Sequence, residues 1–313
     1  MNIRAYILRR LLGLVPLLLA ISFFAFVIIQ LSPSDPAEVA IRVNALTPTP
    51  ELIAEVREEM GLDKPFLQRY ATWLDRAVHG DLGKSYVDGK DVAAEMRKAL
   101  PPSLMLAATA AALMLACSIA AAFVGVLFEG RWPDVLLRGL IFLGTSMPAF
   151  WAGLLFIWFF AVHLDLLPTS GLSGPASLML PAATLSLPYI AAYSRLLRNS
   201  MVQTKQQNFV LYARACGRGR WPVLRHIFRN SLQSSLTGLG MSLPKLVAGT
   251  FVVECIFAWP GLGRLCVTAI FNRDFPIIQA YVLLMAVLFV LCNLCMDVVS
   301  ALIDPRLRER GRQ

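Results

Sequence analysis

Three ionisable side chains, Lys245, Glu254 and Asp297, fall inside apolar runs long enough to cross a bilayer. A charge in hydrocarbon is costly, so such residues turn toward a bundle interior or a wet path. Lys245 sits near the middle of its run. Glu254 and Asp297 sit near the ends of theirs, where a side chain reaches the interface. Lys245 therefore either lines a pathway or makes an interhelical pair. Met147, Met241, Met285 and Cys255 offer soft, weak ligands along such a path, or simply pack. His79, His163 and His226 share no ligand spacing, so no tight metal site is expected. Gly83-Lys84-Ser85 imitates the tail of a phosphate-binding loop. Position 78 is Val, however, and no strand precedes it, so this chain is not expected to bind nucleotide. No paired carboxylates, Ser–His pair or His-rich motif shares one membrane depth, and no catalytic residue is assigned.

A second group is electrostatic. Between positions 195 and 231 stand Arg195, Arg198, Lys205, Arg214, Arg218, Arg220, Arg225 and Arg229, with no Asp or Glu. Apolar runs flank this block, which marks it as a cytoplasmic loop. Inside it, Ala213, Arg214, Ala215 and Gly217 form a small-residue helix ending at a Gly break. A second helix led by Trp221-Pro222 follows, making a bent, protruding knob. A docking surface for another protein and a basic helix held near anionic lipid are both consistent with that pattern.

The elements that must carry these residues are membrane helices. The chain has 313 residues, of which 57% are hydrophobic and 16% charged. Ordinary soluble domains are about a quarter charged. The net charge of +9 lies beside the apolar runs, where topology accounts for it, so no nucleic-acid partner is implied. The six cysteines lie in or near apolar runs and form no readable disulfide framework.

Six spans are legible: 11–31, 103–128, 136–162 (interrupted at Met147-Pro148), 178–197, 232–258 and 277–303. Arg4, Arg9 and Arg10 before the first, and the arginines after Asp304-Pro305, place both termini in the cytoplasm. The run 11–31 reads as an uncleaved helix. Residues 32–102 form an extracytoplasmic insertion with twelve acidic and nine cationic side chains. Three amphipathic helices are expected in it: from Thr49-Pro50 to Gly61, from Pro65 to Gly80, and one carrying Val92, Met96 and Leu100 that ends at Pro101. Residues 103–303 make a five-helix core with the loop 198–231, and 304–313 a cytoplasmic tail. On the fifth span Gly238, Gly240 and Gly249 permit close helix contact. Trp259-Pro260-Gly261-Leu262-Gly263 cannot continue that helix. It makes a turn into a short helix at the outer interface, which closes the outer mouth, receives a binding protein or anchors the chain there.

The knob resembles the EAA loop of ABC importer permeases, which ends in a Gly followed ten residues later by Ile. Ala213, Gly217 and Ile227 fall on that pattern, and Leu211-Tyr212 replaces its leading Glu-Ala. The whole chain is similar to the peptide/nickel class of these permeases. The matching segments are Arg9-Arg10, Gly80-Asp81-Leu82-Gly83-Lys84-Ser85, Phe257-Ala258-Trp259-Pro260-Gly261-Leu262-Gly263, Asn272-Arg273-Asp274-Phe275-Pro276 and Asp304-Pro305-Arg306. Within the class, residues 269–274 and 289–294 look most like the nickel branch.

That resemblance implies an all-α polytopic fold with six transmembrane helices, the type I ABC importer permease fold. It implies the bacterial inner membrane as location, and half of a translocation pathway as role. The implied cargo is nickel, free or chelated, with di- or oligopeptides as the alternative. Implied partners are a homologous second permease subunit, two ABC ATPase subunits, an extracytoplasmic substrate-binding protein and membrane lipid. ATP and Mg would be bound by the ATPases, with no cofactor on this chain. The implied coupling residues are Ala213, Arg214, Ala215, Gly217 and Ile227. Candidate pathway residues are Lys245, Glu254, Met147 and Met241. Candidate outer-gate or binding-protein contacts are Trp259, Gly261, Arg273 and Asp274. An ion-coupled secondary transporter is the reading from another class. It requires inverted repeats and broken midplane helices, and no repeat is legible.

Overall fold

The computed structural model describes residues 3–31, 35–43 and 47–303; within these, no side chains are described for 3–12, 233, 234, 237 and 300–303. The expected cytoplasmic tail 304–313 lies outside the described residues. All regular structure among the described residues is helical. Five helices are long and apolar enough to cross a membrane, and a bent helix pair makes a sixth candidate.

The first span, α1 (Ile3–Gln30), is followed by a short α2 (Pro36–Val43) that the sequence did not suggest. α3 (Pro50–Glu59) and α4 (Phe66–Val78) follow the expected punctuation. The Thr49 hydroxyl accepts the Leu52 N–H at 3.3 Å, and Pro50 occupies the first turn. Gly61 and Gly80 take the positive φ that ends each helix cleanly. The third expected helix does not end at Pro101. α5 (Val92–Leu127) runs through Pro101 and Pro102 into the second span. The two backbone bonds these prolines cannot make belong to the carbonyls of Arg97 and Lys98, both on an exposed turn where water can satisfy them.

The third span is two helices, α6 (Trp132–Ser146) and α7 (Ala149–Phe156), the latter continued by a π-helical turn to His163. The pair is bent by 107°. Pro148 holds Met147 extended at φ −91°, ψ 131°, which stops α6. α8 (Met179–Lys205) extends beyond the expected end at 197, and α9 (Asn208–Ala215) follows after two residues. α10 (Arg220–Ile256) is one 37-residue helix joining the second half of the knob to the fifth span. At 1.5 Å per residue it is about 55 Å long, far more than the roughly 30 Å of hydrocarbon. α11 (Leu262–Asn272) and α12 (Phe275–Ile303) complete the order.

The described residues divide into two compact units: those within 3–7, 104–259 and 291–303, and those within 8–103 and 260–290. In the first, α8 is the central helix, packed by α6, α7 and α10. A Cβ on Gly238 would come within 2.1 Å of Leu196 Cδ2, and one on Gly249 within 3.2 Å of Leu185 Cδ1. Glycine at both positions lets α10 lie directly against α8, as expected from the sequence. In the second unit, Phe66, Tyr70 and Trp73 of α4 pack against Phe23 and Phe26 of α1 with ring centroids 5.2–6.0 Å apart. The Tyr70 hydroxyl hydrogen-bonds Ser22 Oγ at 2.8 Å. Val92, Met96 and Ala99 meet Leu262 and Ala269 of α11 and Ile277 and Ala280 of α12.

Candidate coupling and translocation site

α9 is seated by one side and bare on the other. Val210 is buried with Leu197, Met201, Val223, Leu224 and Ile227, and Ala213 is half-buried against the same cluster. The other face exposes Phe209, Leu211 and Tyr212, and Trp221 stands exposed at the start of α10, Tyr212 and Trp221 at 73% and 72%. Arg214, Arg218, Arg220, Arg225 and Arg229 are also exposed around them. Aromatic centres with cationic surroundings are the composition of a protein contact surface.

The break after α9 is a Schellman motif. Arg218 N–H donates to the Ala213 carbonyl at 3.1 Å, and Gly217 N–H to the Arg214 carbonyl at 2.9 Å. Gly217 has φ +74° with open space where a Cβ would stand. It is there for its backbone conformation, not for a close approach. Of the expected coupling residues, Arg214, Ala215 and Gly217 are on the surface and Ala213 is partly so. Ile227 is not: it is buried and acts as the seat on α10 that holds α9.

Part of the cationic block is opposed by acids that lie outside it in the sequence. Arg195, Arg198 and Lys205 lie on α8, and two of them are paired. Arg198 Nε and Nη2 donate to the two oxygens of Asp134, each at 2.8 Å. The Asp134 side chain is 1% exposed, and also accepts from Gly130 N–H at 3.2 Å. Arg198 reaches it by crossing Gly125, where a Cβ would stand 2.8 Å from Arg198 Cδ. Lys205 Nζ bonds Glu129 at 2.5 Å. Glu129, in the turn after α5, and Asp134, in the first turn of α6, are acids that the sequence reading did not single out. The signal was two acids within six residues between two apolar runs, in a chain that also carries a cationic block with none. α8 and α10 are further joined by Ser200 Oγ donating to the Ser231 carbonyl (3.1 Å) and Ser231 Oγ to Thr204 Oγ1 (3.0 Å). The knob is thus continuous with rigid spans on both sides.

Of the candidate pathway residues, Lys245 and Met241 are exposed one helical turn apart on α10. Met147 is half-buried at the α6–α7 bend. Glu254 does not reach an interface: it is fully buried. Among the described residues, no three His, Cys, Asp or Glu side chains gather to hold a metal ion.

Of the outer candidates, Trp259 is 0% exposed and Gly261 is buried as the residue capping α11. Neither is placed to touch a binding protein. Trp259 N–H donates to the Glu254 carbonyl at 2.8 Å, which curls the chain back onto α10. Arg273 is exposed, in left-handed conformation at the end of α11. Asp274 is buried beneath it, accepting from the Ser85 hydroxyl and from Tyr86 N–H at 3.2 Å. Burial raises both the Asp274 carboxyl and the Tyr86 phenol above their ordinary pKa. Two sequence segments, 80–85 and 272–276, are therefore one structural joint.

Residues 112–309 match the model of the binding-protein-dependent transport system inner membrane component, and residues 3–107 match its N-terminal companion. The chain belongs to this family. It is 38% identical over 309 residues to the metal-staphylopine import system permease protein CntB of Staphylococcus aureus (strain NCTC 8325 / PS 47), covering 98% of this chain and 99% of that one. It is 37% identical over 304 residues to the glutathione transport system permease protein GsiC of Escherichia coli (strain K12), covering 97% and 98%. Among solved structures, the MetNI methionine ABC transporter in inward-facing conformations aligns with a TM-score of 0.57 at 14% identity, covering 67% of this chain and 96% of that one. An amino acid ABC transporter aligns with 0.51 at 15%, covering 68% and 94%. These structures support the type I importer permease fold. The binding-protein-dependent permease is a multi-pass ABC importer subunit, and ATP hydrolysis falls to separate ATPases. Family membership displaces the secondary-transporter reading.

Proposed function

We propose that this permease forms half of the translocation pathway of an importer for a metal chelate. Nickel is the metal the sequence suggests, and the similarity to a metal-staphylopine permease supports a chelated form. The other half is a homologous, non-identical permease. Two ATPases bind ATP and Mg, and an extracytoplasmic protein delivers cargo. The knob and both termini face the cytoplasm of a bacterium with this inner-membrane chain.

The observation that carries the coupling mechanism is the seating of α9. Its bare aromatic face offers a grip, while Val210 and Ile227 fix it to α10 and the Arg198–Asp134 pair fixes α8 to the start of α6. A push on α9 cannot be absorbed locally, so it tilts the spans. Binding at the ATPases and opening of the pathway become linked through one rigid element.

Peptide is the second cargo reading, favoured by similarity of nearly the same strength to a glutathione permease. Uptake of labelled nickel, with and without chelator, against uptake of a labelled dipeptide in cells lacking this chain separates the two. Loss of chelated-nickel uptake alone supports the first reading. Loss of dipeptide uptake alone replaces it with the second.

A further inference from the structure

One face of α10 carries an exposed row within its span. Met241, Lys245, Ala248, Val252 and Cys255 are all exposed, at spacings of four, three, four and three residues. The opposite side, with Leu246 and Val253, is buried in the core of this unit. A row with that spacing forms a straight seam along a helix. Apart from one residue the seam is apolar, and that residue is a lysine.

Lys245 is at the middle of the apolar run 232–258, 13 residues from either end, or about 20 Å along a helix. Among the described residues it forms no ion pair. An ammonium at that depth does not remain against lipid tails, because hydrocarbon offers no partner to replace its water. The seam therefore faces a wet path or another protein surface. No other charge stands on it, so Lys245 is the one charge this seam presents. Beside a partly dehydrated path an ammonium attracts a carboxylate and repels a divalent cation.

We propose that Lys245 is the point at which the pathway contacts a carboxylate group of its cargo. The importer then carries carboxylate-bearing cargo, such as a metal held in an aminocarboxylate chelate or a peptide with a free C-terminus, and excludes the bare dication. This inference rests on the importer reading above.

The test uses the complete importer with its binding protein and ATPases in proteoliposomes, with Lys245→Gln, Lys245→Glu and Lys245→Arg beside the parent. Four probes are supplied: labelled nickel alone, nickel in an aminocarboxylate chelate, a dipeptide, and the same dipeptide as its C-terminal amide. The parent is expected to take up the chelate about tenfold faster than bare nickel, or the free dipeptide about tenfold faster than its amide. Gln and Glu should remove that preference by lowering carboxylate-probe uptake about tenfold, while Arg keeps it. A parent that prefers bare nickel, or a Gln variant as selective as the parent, overturns the proposal. A Gln variant that yields less assembled complex but keeps its selectivity shows instead that Lys245 pairs with an acid of the second permease.

A second readout is independent of cargo. Lys245→Cys, in a chain whose native cysteines are replaced by serine, should react with a water-soluble anionic thiol reagent in the assembled importer. Absence of reaction overturns the proposal even where no probe is carried. ATP-independent uptake by the parent is a different failure: it sinks the importer reading itself.

Discussion

Arg198 and Asp134, 64 positions apart, form a two-pronged ion pair in which both nitrogen–oxygen distances are 2.8 Å. The carboxylate is buried and the guanidinium largely so, with side-chain exposures of 1% and 16%. The pair ties α8, just ahead of the coupling helix, to the start of α6. Removing Arg198 leaves the buried Asp134 carboxylate with only Gly130 N–H and the half-exposed Arg138 guanidinium at 3.5 Å. Arg198→Ala is therefore expected to cost about 2–3 kcal/mol of stability, below the full loss for a buried charge with no partner left. The double variant Arg198→Ala/Asp134→Ala should lose less than the sum of the single losses, by about 1–2 kcal/mol or more. Thermal unfolding of the four purified proteins measures this, and strict additivity would show the pair to be idle.

Gly217 sits at φ +74° with nothing near its missing side chain. Gly217→Val meets no clash, but a β-branched residue in that conformation costs about 1–2 kcal/mol locally. The relief is to undo the Schellman turn and shift α9. Transport should fall at least about tenfold, since about 1.4 kcal/mol of lost coupling is a factor of ten. Membrane insertion should be unchanged. Gly217→Asn, which tolerates the left-handed region, should retain much more transport than Val. Equal transport by the Val variant and the parent, scored by ATP-dependent uptake, counts against the knob as a lever.

The seam between α8 and α10 makes a packing prediction. A Cβ on Gly238 would lie 2.1 Å from Leu196 Cδ2, the far end of a movable side chain. Gly238→Ala should therefore cost roughly 1–3 kcal/mol, the usual range for overpacking. Shortening the neighbour relieves it, so Gly238→Ala/Leu196→Ala should recover part of the loss. Denaturation midpoints of both variants decide this.

How much of this was legible in the sequence depends on the range of the interaction. α3 and α4 were readable because their stops are local: Thr49-Pro50, Gly61, Pro65 and Gly80 act within a few residues. The Gly217 break was readable for the same reason. The continuity of α5 through Pro101 and Pro102 was not, because whether the freed carbonyls find water depends on exposure in the folded chain. The Arg198–Asp134 pair was hidden because its partners are distant in sequence and meet only once Gly125 leaves room. The sequence offers Trp259 as an outer-gate or binding-protein contact, or as an interfacial anchor; an indole suits a buried core equally well, and composition alone does not separate these.

Asp274 supplies a pH signature. Burial raises its pKa, so the folded state holds a proton that the unfolded chain has already released. In the window between the unfolded value and the raised folded one, stability falls as pH rises; above the window it levels off. Asp274→Asn keeps a side-chain oxygen to cap α12 and removes the titration. The difference in unfolding temperature between parent and Asp274→Asn should shift in favour of Asn as pH rises through that window. A difference that stays flat with pH would mean the carboxyl is not desolvated by the joint with Ser85.

The central claim is that the exposed face of α9 is gripped from the cytoplasm by an ATPase. A Tyr212→Cys chain, with native cysteines replaced by serine and the partner subunits present, measures this by site-directed cross-linking. The account predicts a disulfide or short cross-link from position 212 to an ATPase subunit, altered by ATP, and labelling by impermeant thiol reagents only from the cytoplasmic side. Labelling of position 212 from outside intact cells, or transport undiminished when that position is locked to nothing and capped by a bulky reagent, would contradict it.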